Sequence, residues 1–153
     1  MTRPRDFEGG TEFTNWIRDV KELDSSEGYV ATDIDLMWHN YNNGKFMFIE
    51  EKRYLEEPTQ CQMNFFRKLH RINSSEEDYY GYHIVQFEKE GPLVGKIFLD
   101  REEVSLKEFI NFLKFENVDK DSLNKITDRP KPKETLNEEN VIYTQIEHGC
   151  YIK

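Results

Sequence analysis

Apolar and polar residues alternate along this chain with two periods, and the switches between them mark out its elements. Phe13, Trp16, Ile17, Val20 and Leu23 recur at helical spacing behind Thr11, an N-capping residue type, and predict a helix over 12–23. Asp24-Ser25-Ser26-Glu27-Gly28 ends it. Tyr29–Trp38 and Lys45–Tyr54 then read as extended segments, joined by Asn42-Asn43-Gly44, residues that tolerate the positive φ of tight hairpin turns. Thr59 caps a second helix over 60–72 with an apolar stripe of Phe65, Phe66, Leu69 and Ile72. Tyr79–Lys89 and Leu93–Leu99, separated by Glu90-Gly91-Pro92, read as a second hairpin extending the sheet. Ser105, with Glu108 three residues on, forms a capping box for a third helix that ends near Asn117 and buries Leu106, Phe109, Ile110, Phe112 and Leu113. Residues 119–136 are polar and include Asp128-Arg129-Pro130-Lys131-Pro132-Lys133, a composition expected of a linker or surface arm. Val141–Ile146 reads as a last strand at the sheet edge. The expected fold class is α/β (α+β) in a single domain: a mixed sheet of about five strands centred on 29–54, flanked by helices at 12–23, 60–72 and 105–116.

The first two strands carry the chemistry. Side chains two apart on a strand share a face, so Asp33 pairs with Asp35, and Glu50 with Lys52 on the neighbouring strand. Asp35 and Glu50 stand eight and six residues from Asn43-Gly44, which brings their carboxylates within reach of one cation. Mg²⁺ takes oxygen ligands, uses one or two carboxylates and keeps waters for substrate phosphate, and a lysine beside it suits phosphate chemistry. Phe46–Ile49, four apolar residues in a row, lead straight into Glu50-Glu51, as in strands that bury both faces and end in a site. The bland alternative is a solvent-exposed strand end with cross-strand ion pairs.

Asp35 on one strand followed by Glu50-Glu51-Lys52 on the next resembles the PD-(D/E)XK nuclease superfamily, over roughly Glu12 to Glu90. The resemblance implies a restriction endonuclease-like mixed sheet, with a helix before the strands and another after the Glu-x-Lys. It implies Asp35, Glu50 and Lys52 as the catalytic set, with Asp35 and Glu50 holding Mg²⁺ or Mn²⁺, and hydrolysis that leaves a 5′-phosphate. Asp33, Glu12 from the first helix and Gln62 are accessory candidates; Gln62 and Phe66 form a Gln-x-x-x-aromatic pattern similar to one in the exonuclease-like branch. The chain departs from the pattern in lacking a Pro before Asp35 and in placing Glu51 where an apolar residue is common.

Composition changes this picture in part. The 153 residues, 37% hydrophobic and 14% aromatic, suit one packed domain. A net charge of −9 and a pI near 5.0 oppose nucleic-acid binding by bulk electrostatics. Yet residues 60–75 contain Arg67, Lys68 and Arg71 and no acid, a basic patch suited to backbone phosphates. Two cysteines without zinc spacing, an N-terminus without an apolar leader and the lack of a membrane-length apolar run point to a cytoplasmic protein with no membrane partner. The expected partner is nucleic acid, DNA favoured, with a homodimer or a protein partner as further expectations. Two other readings stand beside a nuclease. One is a small nucleotidyltransferase built on Asp33 and Asp35, for which Gly9-Gly10-Thr11 lacks the serine of the phosphate-holding turn. The other is an inactive nuclease-like binding or inhibitor protein whose acidity imitates nucleic acid.

Overall fold

The computed structural model describes residues 11–133, which divide into two compact units, one ending at Asp33 and the other beginning at Ile34. In the first, the Thr11 hydroxyl accepts the Thr14 N–H at 3.1 Å and opens helix α1, Glu12–Asp19. The helix stops before the expected position 23 because β-branched Val20 is extended, at φ −88° and ψ 113°. Short 3₁₀ turns follow at Lys21–Leu23 and Ser25–Glu27.

The second unit is built on a five-stranded mixed sheet in the order β1 (Leu36–His39), β2 (Phe46–Arg53), β3 (Tyr79–Phe87), β4 (Ile97–Leu99) and β5 (Glu102–Val104). Only β2 and β3 are parallel; the other neighbours are antiparallel. Parallel strands need a crossover, and helix α2, Gln60–Asn73, supplies it. Thr59 caps α2 as expected, and Gln62 completes a capping box with it. β3, not the 29–54 segment, is the middle strand. β1 is also shorter than expected: Tyr29–Asp35 lie outside any strand, so the alternation argument that placed Asp33 beside Asp35 does not apply. The ladder ends where the Asp35 side chain itself accepts the Glu51 backbone N–H at 2.9 Å, replacing a backbone partner.

The sheet is covered on both faces, which is why β2 and β3 bury consecutive residues. On one face Met47, Ile49, Val85 and Phe87 pack with Ile97 against Phe109, Phe112 and Phe115 from helix α3 (Leu106–Leu113) and the turn after it. On the other, Phe48, Tyr79, Tyr82 and Ile84 pack against Phe66 of α2 and against Leu123 and Ile126. A bulge between Phe46 and Phe48 in the β2–β3 register accommodates Gly81 at φ 110°, where a Cβ would lie 2.7 Å from the Lys120 carbonyl oxygen.

Several expectations are corrected by this packing. Ile72 is 60% exposed, and the α2 stripe includes His70 instead, whose ring nitrogens lie 2.8 Å from the Tyr79 hydroxyl and 3.0 Å from Asp121 Oδ1. Leu106 and Ile110 are exposed, so α3 buries a narrower face than its composition implies; its Ser105–Glu108 capping box does form. Leu93–Lys96 stay outside β4, and β5 was not foreseen. The segment read as a linker contains a 3₁₀ helix, Ser122–Asp128, that inserts Leu123 and Ile126 into the core. Ile126→Val is therefore expected to cost about 1 kcal/mol of unfolding free energy in urea titrations; a surface arm would register no change. Val141–Ile146 lies outside the described residues. Among the described residues no helix is long and apolar enough to cross a membrane.

Candidate active site on strands β1 to β3

The hairpin between β1 and β2 sets the site's register. Asn40 and Lys45 close the turn through an N–H to carbonyl bond of 2.9 Å, with the Asn40 and Asn43 side chains accepting backbone N–H groups inside it. Leu36 pairs with Ile49, so the register continued by one residue sets Asp35 opposite Glu50. Glu50 and Lys52 share a face of β2, as strand alternation requires, with Lys52 Nζ 3.5 Å from Glu50 Oε2. Glu51, on the other face, is exposed to solvent.

Glu50 is the electrostatic centre. It is only 3% exposed, and its Oε1 has no hydrogen-bond partner among the described residues. Burial and, next, the nearby Asp35 carboxylate raise its pKa from 4.5 to about 7, while Lys52 opposes the shift. Asp35 can hydrogen-bond to Glu50 only while one of the two carboxyls holds a proton, so the ionised pair leaves Oε1 without a partner. A cation between them would relieve the repulsion and give that oxygen a partner.

β3 adds two groups that the sequence reading did not include. In the parallel register Phe48, Glu50 and Lys52 oppose Tyr82, Ile84 and Gln86. The Tyr82 hydroxyl is buried without a partner among the described residues, and burial, then Glu50 and Asp35, hold its pKa above the ordinary phenol value. Gln86 Nε2 donates to the Glu56 carbonyl at 2.8 Å and to Glu57 Oε2 at 3.0 Å, leaving its own buried Oε1 without a partner. Tyr54 and Leu55, both at φ 57°, break β2 in the left-handed region and turn Glu56 and Glu57 toward Gln86. Buried polar atoms without partners are few in native proteins. Here three of them, on Glu50, Tyr82 and Gln86, fall on one face of two adjacent strands. No sequence signal marked Tyr82 or Gln86, because β3 is buried on both faces and shows no alternation.

The other predicted residues are placed as follows. Gln62 Oε1 accepts the Thr59 N–H at 3.0 Å in the α2 cap. Glu12 opens α1, and Asp33 closes the first unit; both are exposed. On α2, Arg67 is half-buried, and Lys68 and Arg71 are exposed. No group of three or more His, Cys, Asp or Glu side chains among the described residues could hold a metal ion, so any cation here rests on the Asp35–Glu50 pair with water and substrate oxygens. That donor set fits Mg²⁺ or Mn²⁺, which need only one or two carboxylates. No protein family model, curated protein or solved structure matches the chain.

Proposed function

We propose that this protein is a metal-dependent nuclease that hydrolyses phosphodiester bonds in nucleic acid, DNA favoured. The observation that carries the reading is the buried, partnerless Glu50 oxygen beside Asp35, with Lys52 Nζ 3.5 Å from the same carboxylate. The order of helix, hairpin, Glu-x-Lys strand, helix and parallel strand supports it, being similar to the core of the PD-(D/E)XK superfamily. Asp35 and Glu50 are the residues that would hold Mg²⁺ or Mn²⁺. A cation held there would supply an activated water and charge neutralisation at the phosphate oxygens. Lys52 orients that water and stabilises the charge that gathers on the phosphoryl group. Tyr82, hydroxyl protonated, keeps the base of the site dry beside Glu50. The basic residues of α2 contact backbone phosphates.

The test is cleavage of single-stranded, double-stranded and branched DNA, and of RNA, in Mg²⁺, Mn²⁺ or EDTA. Wild-type protein is expected to cut at least one of these in Mn²⁺ or Mg²⁺ and none in EDTA. Lys52→Ala is expected to lower the single-turnover rate by roughly 10²-fold or more with the fold retained by circular dichroism. Binding without cutting by folded wild type favours an inactive binding protein. Capture of a protein partner with neither binding nor cutting favours the acidic inhibitor, a reading that the net charge of −9 motivates.

A further inference from the structure

A cavity of about 230 Å³ is lined by Arg67, Arg101 and Lys131 with Glu57, Met63 and Ile126. Three cations face one carboxylate there, in a chain whose net charge is −9. That carboxylate is already engaged: Glu57 Oε1 takes Arg101 Nη2 at 3.0 Å, and its other oxygen takes Gln86. Arg101 Nη1 is tied to the Ile126 and Arg129 carbonyls at 3.2 and 3.1 Å, so its guanidinium is fixed in place. Arg67, half-buried, and Lys131 make no hydrogen bond or ion pair with any described residue. A rigid guanidinium beside two cations with no partner among the described residues, in a concave space, suits an oxyanion of about two negative charges, the charge of a phosphomonoester near neutral pH.

A chain of side-chain contacts links the wall of the cavity to the site on β2. Lys52 pairs in register with Gln86, Gln86 donates to Glu57, and Glu57 pairs with Arg101. Met63 and Ile126 belong to the layer that covers the same sheet face as Glu50 and Tyr82. We propose that this cavity is a phosphomonoester subsite, formed by Arg67, Arg101 and Lys131, which anchors the terminal phosphate of a nucleic-acid strand whose chain runs toward Glu50. The strand as its source rests on the nuclease reading; the recognition of phosphate does not.

The experiment separates the two. Inorganic phosphate is titrated into the full chain by calorimetry, against chloride at equal ionic strength, using wild type, Arg67→Gln, Lys131→Gln and Glu50→Gln. Oligonucleotides ending in a 5′-phosphate, a 3′-phosphate or hydroxyls are titrated in parallel in EDTA, so that nothing is cut. Phosphate is expected to bind wild type and Glu50→Gln alike, and about tenfold more weakly to Arg67→Gln and to Lys131→Gln. One phosphorylated end is expected to bind more tightly than hydroxyl ends, and Arg67→Gln to abolish that preference. Lys131 is exposed, so its variant keeps the readout should Arg67→Gln fold poorly. Wild type that does not distinguish phosphate from chloride, or variants that bind it as wild type does, overturns the subsite. Phosphate binding without any preference among ends overturns the strand and leaves free phosphate as the ligand.

Discussion

Glu50→Gln is expected to stabilise the metal-free protein at pH 8 while removing its capacity to hold a divalent cation. Glu50 is protonated more readily in the folded chain, with its pKa raised from 4.5 to about 7, than in the unfolded one. Where the folded state binds more protons, stability falls as pH rises. Glu50 therefore imposes no penalty below about pH 4.5, and its full penalty is reached above about pH 7. With burial this complete, the shift corresponds to about 3 kcal/mol at most, and a neutral amide avoids most of it. Urea unfolding from pH 4.5 to 7 is expected to show a decline in wild type that is lessened in Glu50→Gln. Mn²⁺ or Mg²⁺ at pH 8 is expected to raise the wild-type midpoint by mass action and to leave Glu50→Gln unmoved. A variant no more stable than wild type at pH 8, with the same pH profile, contradicts the account of Glu50 as a strained, buried carboxylate.

The second large effect lies away from the site. His83 and Asp100 form a buried pair: Nδ1 is 2.8 Å from Asp100 Oδ2, and Nε2 is 2.8 Å from the Tyr80 carbonyl oxygen, which can only accept. Asp100 Oδ1 accepts the Ile84 N–H at 2.8 Å, and His83 lies edge-on to Phe112. Burial by itself would strip the imidazole of its second proton; the Asp100 carboxylate, reinforced by the Tyr80 carbonyl, outweighs it and raises the His83 pKa above 6.5. The pair fastens β3 to the β4–β5 turn, where Asp100 and Arg101 occupy left-handed backbone at φ 50° and 73°. Asp100→Asn, which leaves the imidazole without its counter-charge, is expected to cost roughly 3–5 kcal/mol in urea unfolding at pH 6. Because the His83 pKa is raised, its contribution is complete below pH 6.5 and is lost as pH rises through the folded value. Made in the Glu50→Gln background, His83→Gln is therefore expected to remove the decline in stability that remains above pH 6.5. A decline that persists in this double variant would assign it to another group.

The Asp35–Glu50–Lys52 cluster was legible because local rules determine it. Strand alternation puts Glu50 and Lys52 on one face, and Asn42-Asn43-Gly44 forces a hairpin whose register brings Asp35 opposite Glu50. The capping residues Thr11, Thr59 and Ser105 were equally local. What escaped depends on partners distant in sequence. Tyr29–Asp35 have strand-like composition and still form no ladder, since the Asp35 side chain takes the Glu51 N–H. His70 replaces Ile72 in the core because Tyr79 and Asp121 satisfy its ring. Leu123 and Ile126 are spaced three apart, the period of a 3₁₀ turn, but two apolar residues in a polar, proline-containing stretch are too few to reveal it. Tyr82 and Gln86 read as ordinary core, and only the parallel register of β3 against β2 places them on the sheet face that carries Glu50.

The central claim is that the Asp35 and Glu50 carboxylates together hold one divalent cation. Calorimetric titration of Mn²⁺ at pH 7, repeated in two buffers of different protonation enthalpy, measures this directly. One cation per chain is predicted, bound with release of about half a proton at pH 7, since a Glu50 with a pKa of about 7 is half protonated there and must ionise to serve as a ligand. Asp35→Asn and Glu50→Gln are predicted to lose this binding. Undiminished Mn²⁺ binding in both folded variants, or binding by wild type with no proton released, would contradict the account.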